Sequence, residues 1–99
     1  MNFLKRIFKP YVPGEPVKSI LTALEDIDRW RICEIRTQRG NLDYHEFYDV
    51  KTNSRFHVVI LFGEAFPKKW QGVFWENEIE RDMLNKAFLR VFKEHNSIS

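Results

Sequence analysis

The sequence predicts an α+β domain: an antiparallel meander of three to four strands with two helices packed on one face, in the order α-β-β-β-α. Three observations predict it. Apolar residues recur at helical spacing after Pro16 and again after Asn77. Between those stretches lie three runs rich in aromatic and β-branched residues, each closed by turn residues. A chain of 99 residues is the length of one domain and can bury one core without disulfides or metal.

The chain opens on a basic amphipathic segment. MNFLKRIFK sets Phe3, Leu4, Ile7 and Phe8 beside Lys5, Arg6 and Lys9. Pro10 stops the run and Pro13-Gly14 makes a turn. Residues 2–9 are too few to hold a helix alone in water. The organisation read from this is an arm and turn over 1–15, one α+β domain over 16–96 and a tail over 97–99.

The first helix is expected to start near Pro16, because proline suits the first helical turn. Val17, Ile20, Leu21, Leu24 and Ile27 then form one apolar stripe, which ends at Asp28. Strands are expected over 30–37, 42–50 and 55–62. Short loops between them make neighbours antiparallel. Two-residue hairpins at Gly40-Asn41 and Thr52-Asn53 set Ile35 opposite Glu46 and Asp49 opposite Phe56.

In that register one face holds Trp30, Ile32, Phe47, Phe56, Val58, Ile60 and Phe62, the floor for the helices. Glu34, Arg36, Asp43, His45 and Asp49 lie towards its rim. The other face holds Cys33, Ile35, Tyr44, Glu46, Tyr48, Arg55, His57, Val59 and Leu61. Val73 to Trp75 reads as a short edge strand or a loop packing aromatics. The second helix has Asn77 as its cap and Glu80 placed to reach back, as in a capping box. Its apolar face is Ile79, Met83, Leu84, Ala87, Phe88, Val91 and Phe92. Acids in its first turns and Arg90, Lys93 and His95 in its last complement the helix dipole.

Most chemistries find no support. A net charge of +2 is too small a bias to argue for nucleic acid. The single Cys33 excludes an internal disulfide framework and fits a reducing compartment. No apolar run approaches a membrane span, and the N-terminus lacks the apolar core of a secretion signal, so a cytoplasmic protein is expected. Cys33, His45 and His57 lack the short spacings of a zinc site. Cys33 mid-strand reads as a buried, inert thiol; an activated one needs a base beside it, and His57, the one nearby candidate, stands two strands away in this register. Asp43/Glu46 and Glu76/Glu78/Glu80 read as turn and cap residues rather than acid–base pairs. The four glycines are scattered and form no phosphate loop. No enzyme, cofactor or metal is expected.

The element order is also that of the double-stranded RNA-binding domain, which grips phosphate with lysines at the start of its second helix. Glu76, Glu78 and Glu80 occupy that position here and would repel phosphate, so no membership follows.

Partner-binding residues come from what remains. Aromatics make up 15% of the chain, more than a core this small needs, so some should reach the surface, where they grip partners. The candidates are Trp70, Phe74, Trp75, Lys68 and Lys69 in the aromatic loop, and Tyr44, Tyr48, Arg55 and His57 on the sheet. The arm adds Phe3, Lys5, Arg6, Phe8 and Lys9. The leading expectation is a small non-enzymatic domain that binds another protein to regulate or inhibit it, with a homodimer open. Its size and style suit a viral or mobile-element inhibitor. The alternatives are a nucleic-acid-binding accessory protein and a peripheral membrane adaptor using residues 2–9.

Overall fold

The first helix starts beside Pro16, as expected, and the α-β-β-β-α order holds with a short fourth strand added, in a computed structural model that describes residues 11–61, 64–67 and 75–97. Helix α1 is Glu15–Ala23, followed by a 3-10 turn, Ile27–Arg29. Strands β1 (Trp30–Arg36), β2 (Leu42–Asp49), β3 (Ser54–Leu61) and β4 (Glu64–Pro67) come next, then helix α2 (Glu78–Ser97). The strands form one antiparallel sheet in the order β1-β2-β3-β4.

Helix α1 is shorter than its apolar stripe. The stripe ends in Ile27, but Ile27 belongs to the separate 3-10 turn. The reason lies in how the last carbonyls of the helix are satisfied. The Trp30 indole N–H donates to Ala23 O at 2.8 Å, and Arg90 Nη2 donates to Leu24 O at 2.9 Å. Tightened bonds from Glu25 N to Thr22 O and Asp26 N to Ala23 O close the turn. Two side chains from elsewhere thus take the carbonyls that another helical turn would have used.

The hairpin loops are longer than two residues, so the pairing differs from the expected one. Ile35 faces Tyr44 and Asp49 faces Ser54. Relative to expectation each register slips by two residues. An even slip keeps every side chain on its expected face. The second loop runs over residues 50–53 and turns at Asn53, whose φ is 59°. Asparagine tolerates that left-handed conformation. A fourth strand, Glu64–Pro67, pairs with β3; in the 73–75 stretch Val73 and Phe74 lie outside the described residues. A proline ending an edge strand removes no interior ladder bond.

The core sits between the sheet and the two helices. Trp30, Phe47, Val58, Leu24, Leu84, Phe88 and Val91 are fully buried. Trp30 is its centre, with Phe47, Phe56 and Phe88 at 6.4, 5.9 and 6.2 Å between ring centroids. Edge-on and tilted ring pairs of this kind add to the area term. Ile79, expected on the buried face of α2, is instead exposed. It lies one position off the line of Glu80, Leu84, Phe88 and Val91, the residues that the helix turns inward.

Asn77 caps α2 as expected: its Oδ1 accepts from Glu80 N–H at 3.0 Å. Glu80 reaches back as expected, but to the N–H before the cap and not to that of Asn77 as a capping box would. Its side chain accepts from Glu76 N–H at 2.8 Å and from Gly14 N–H at 2.8 Å, and Tyr11 OH donates to it at 3.1 Å. The stretch before α1 is therefore tied to the N-terminus of α2. No described helix is long and apolar enough to cross a membrane.

Candidate functional site

Both helices lie on the Trp30/Phe47 face, so the far face of the sheet is where the remaining chemistry collects. The alternation of β2 and β3 brings Tyr44, Glu46, Tyr48, Arg55 and His57 to it. Cys33 faces Glu46 on one side, and Glu46 faces His57 on the other.

These side chains lock one another. The Tyr44 and His57 rings stack at 4.3 Å between centroids. Arg55 Nη1 donates to Glu46 Oε1 at 2.8 Å, and His57 Nε2 lies 3.8 Å from Glu46 Oε2. The Arg55 guanidinium also sits over the Tyr48 ring, 4.7 Å from its centroid. Tyr48 OH donates to Asn53 Oδ1 at 2.7 Å, fixing the band to the β2–β3 loop. All four sheet residues predicted to bind a partner thus join one cluster, organised by Glu46. Leu61 is exposed at the end of β3.

Cys33 corrects an expectation. It is exposed rather than buried, because it points to the far face and not into the core. His57 stays on the same face but two strands away, with Glu46 between them, so no thiolate–imidazole pair forms. Among the described residues no group of His, Cys, Asp and Glu could hold a metal ion. His45 points the other way, is buried, and stands edge-on to Phe92 at 4.8 Å.

Trp75, predicted as a partner contact, is half-buried and packs against the core. Lys68, Lys69, Trp70 and Phe74 lie outside the described residues, as do Phe3, Lys5, Arg6, Phe8 and Lys9.

Sequence reasoning missed the pair at the other end of the sheet. Arg29 Nε and Nη2 donate to both oxygens of Asp49 at 2.8 and 2.7 Å. The fork geometry suits a carboxylate. Asp49 also accepts from Lys51 N–H at 3.0 Å and Thr52 Oγ1 at 2.7 Å. The Arg29 hydrogen bonds hold the Asp49 carboxyl at about 2, well below the usual carboxylate range. This pair lies in a cleft of about 420 Å³ between α1 and the sheet, with Lys18, Ile20, Trp30 and Phe56 among its walls. The available signal was an aspartate at a strand end just before a turn, which is the place for a loop-capping carboxylate.

Comparison with known proteins returns nothing. No family model matches the chain, and neither a curated protein nor a solved structure does.

Proposed function

We propose that this chain is a non-enzymatic protein-binding domain, a regulator or inhibitor of another protein, that works through the far face of its sheet. One observation carries the reading: Tyr44, Glu46, Tyr48, Arg55 and His57 form a single, mutually braced band on the face turned away from both helices. Tyrosine and arginine are enriched at the centres of protein interfaces. Side chains already held in place lose less freedom on binding, so more of the contact energy appears as affinity. The arginines favour a protein over a nucleic acid as the partner. Arg29, Arg36 and Arg55 are each paired with a carboxylate, which lowers their pull on phosphate.

A photo-crosslinking residue in place of Tyr48 tests this, in cells that naturally make the chain. The expected result is one adduct of defined mass that disappears when Arg55→Glu is added. The same residue at Glu25, exposed beyond α1 on the helix side, should give none. Equal adducts at both positions, or an adduct indifferent to Arg55→Glu, would sink the proposal. An adduct removed by nuclease would transfer it to a nucleic-acid partner.

A further inference from the structure

Strand β1 is one edge of the sheet. The ladder fixes which of its backbone groups face outward. Val50 N–H donates to Arg29 O at 2.9 Å, so Arg29 and Val50 form a hydrogen-bonding pair. Such pairs alternate along an antiparallel ladder. Arg31, Cys33 and Ile35 therefore turn their N–H and C=O towards β2, and Trp30, Ile32 and Glu34 turn theirs to the outer edge. Both ends of that edge are closed. Trp30 N–H donates to Ile27 O, and Trp30 O accepts from Arg31 Nη1 at 3.1 Å. At the other end the register shifts between Ile35 and Arg36, which ends the alternation. The N–H and C=O of Ile32 and Glu34 remain, with no partner among the described residues.

An unpaired edge is a template for another strand. Here the open part is short and self-complementary. With a two-fold axis through Cys33, Ile32 of one copy exchanges both hydrogen bonds with Glu34 of the other, and the reverse. Every open group is then satisfied. Shifting the antiparallel register by two residues sets an open residue against Trp30 in one direction and Arg36 in the other, and neither has outward groups to offer.

A second observation favours another copy over an arbitrary strand. A hollow of about 290 Å³ lies beside this edge on the helix side, lined by Ile32, Glu34, His45, Phe92, His95 and Asn96. His45 is 95% buried by its 5% exposure, and its Nδ1 has no hydrogen-bond partner among the described residues. In the two-fold register the second copy's Glu34 stands across from Ile32 on this same face. That places a carboxylate at the mouth of a hollow walled by two imidazoles, where a ring N–H can donate to it. We infer that two copies of this chain pair antiparallel through β1, Ile32 on Glu34, and so form one continuous sheet with an isologous interface. This inference is independent of the far-face reading, since it uses the edge and not the face.

Cys33 supplies the reporter. On the axis it faces the second copy's Cys33 at a non-hydrogen-bonded position, where Cα atoms sit about 4.5 Å apart. That lies within the range a disulfide spans. Copper–phenanthroline, which removes two electrons and two protons from a thiol pair, should convert the full chain to a covalent dimer. Cys33→Ser combined with Ile35→Cys should link at least tenfold more slowly, because that position lies about 13 Å from its own copy. Sedimentation equilibrium of the reduced chain should give a dimer that Ile32→Pro weakens at least tenfold. The Ile32 N–H plays no part in the β1–β2 ladder, so circular dichroism of that variant should be unchanged. If Ile32→Pro fails to fold, the two cysteine positions decide alone. A chain monomeric at every concentration, or a dimer that links equally well from position 35, overturns the inference.

Discussion

The Gly14 backbone N–H donates to Glu80 Oε2 at 2.8 Å, joining residues 66 apart in the chain. The same carboxylate takes Tyr11 OH and Glu76 N–H, and Glu80 is almost fully buried. These bonds, the two backbone donors above all, hold its carboxyl below the usual carboxylate range. A depressed carboxyl contributes stability that is present above its unfolded value and lost as pH falls through the folded one. Glu80→Gln should therefore lower the urea midpoint at neutral pH and lose most of that deficit under acid conditions. Parallel urea melts of both chains from pH 7 to pH 3 measure it. A constant gap across that range would mean that the charge is not what binds Gly14.

Gly14 itself needs no glycine. Its φ is −67°, and an added Cβ would meet only Glu80 Oε2 at 3.6 Å, an ordinary contact. Gly14→Ala should stabilise by about 0.4–1 kcal/mol, because alanine restricts the unfolded chain. Gly40 is the opposite case. Its φ is +85°, with open space around the missing Cβ. Gly40→Ala should cost about 1 kcal/mol through backbone strain alone. Thermal melts of the two variants should move in opposite directions.

Asp49 joins three tasks: it closes the β2–β3 loop, binds Arg29 and is itself buried. Hydrogen bonds to charged groups contribute about 1.5–3 kcal/mol, so Asp49→Ala should cost about 3 kcal/mol in denaturant unfolding. Its carboxyl lies at about 2 in the fold against an ordinary 3.8. The pair's contribution is full above the ordinary value and drains away as pH falls towards 2. Acid titration of the variant should lack that limb.

The contrast between Asp49 and the sheet face marks where sequence reasoning succeeds. The Tyr44/Tyr48/Arg55/His57 grouping was legible because alternation is a local rule, and even a two-residue slip preserved it. The end of α1 was not legible. Ile27 continues the helical stripe, but the helix stops where Trp30 and Arg90 take its carbonyls, and both contacts come from other elements. Glu80 shows the same limit. Its place in a capping pattern was visible, yet its hold on Gly14 depends on how α1 is delivered to α2. Cys33 was placed on its face by the same alternation but misread as buried, because a mid-strand thiol usually is; both helices lie on the other face.

His45 gives a second pH response, at higher pH. Burial pushes its imidazole below the usual histidine value, with Glu34 opposing that shift and Arg36 adding to it. The neutral ring is the form the fold accepts. The unfolded chain binds the proton more readily, so stability should fall as pH drops below about 6.5, the ordinary histidine value. His45→Gln should flatten that slope between pH 7 and pH 5. Urea midpoints across the interval read it directly, and an unchanged slope would assign the response to another group.

Arg55 closes the set because its two roles separate. Its ion pair with Glu46 is exposed on the arginine side, with 58% of that side chain accessible. Pairs of this kind contribute about 0.2–1 kcal/mol. Its position over Tyr48 adds a contact of similar size. Arg55→Ala should therefore cost less than about 1.5 kcal/mol and leave the far-ultraviolet spectrum intact. Tyr48 and His57 would keep their places through Asn53 and Tyr44. If the band is the working surface, the same variant should lose the adduct formed from position 48 while remaining folded. Stability and binding would then part company at one residue, which a merely structural arginine could not produce.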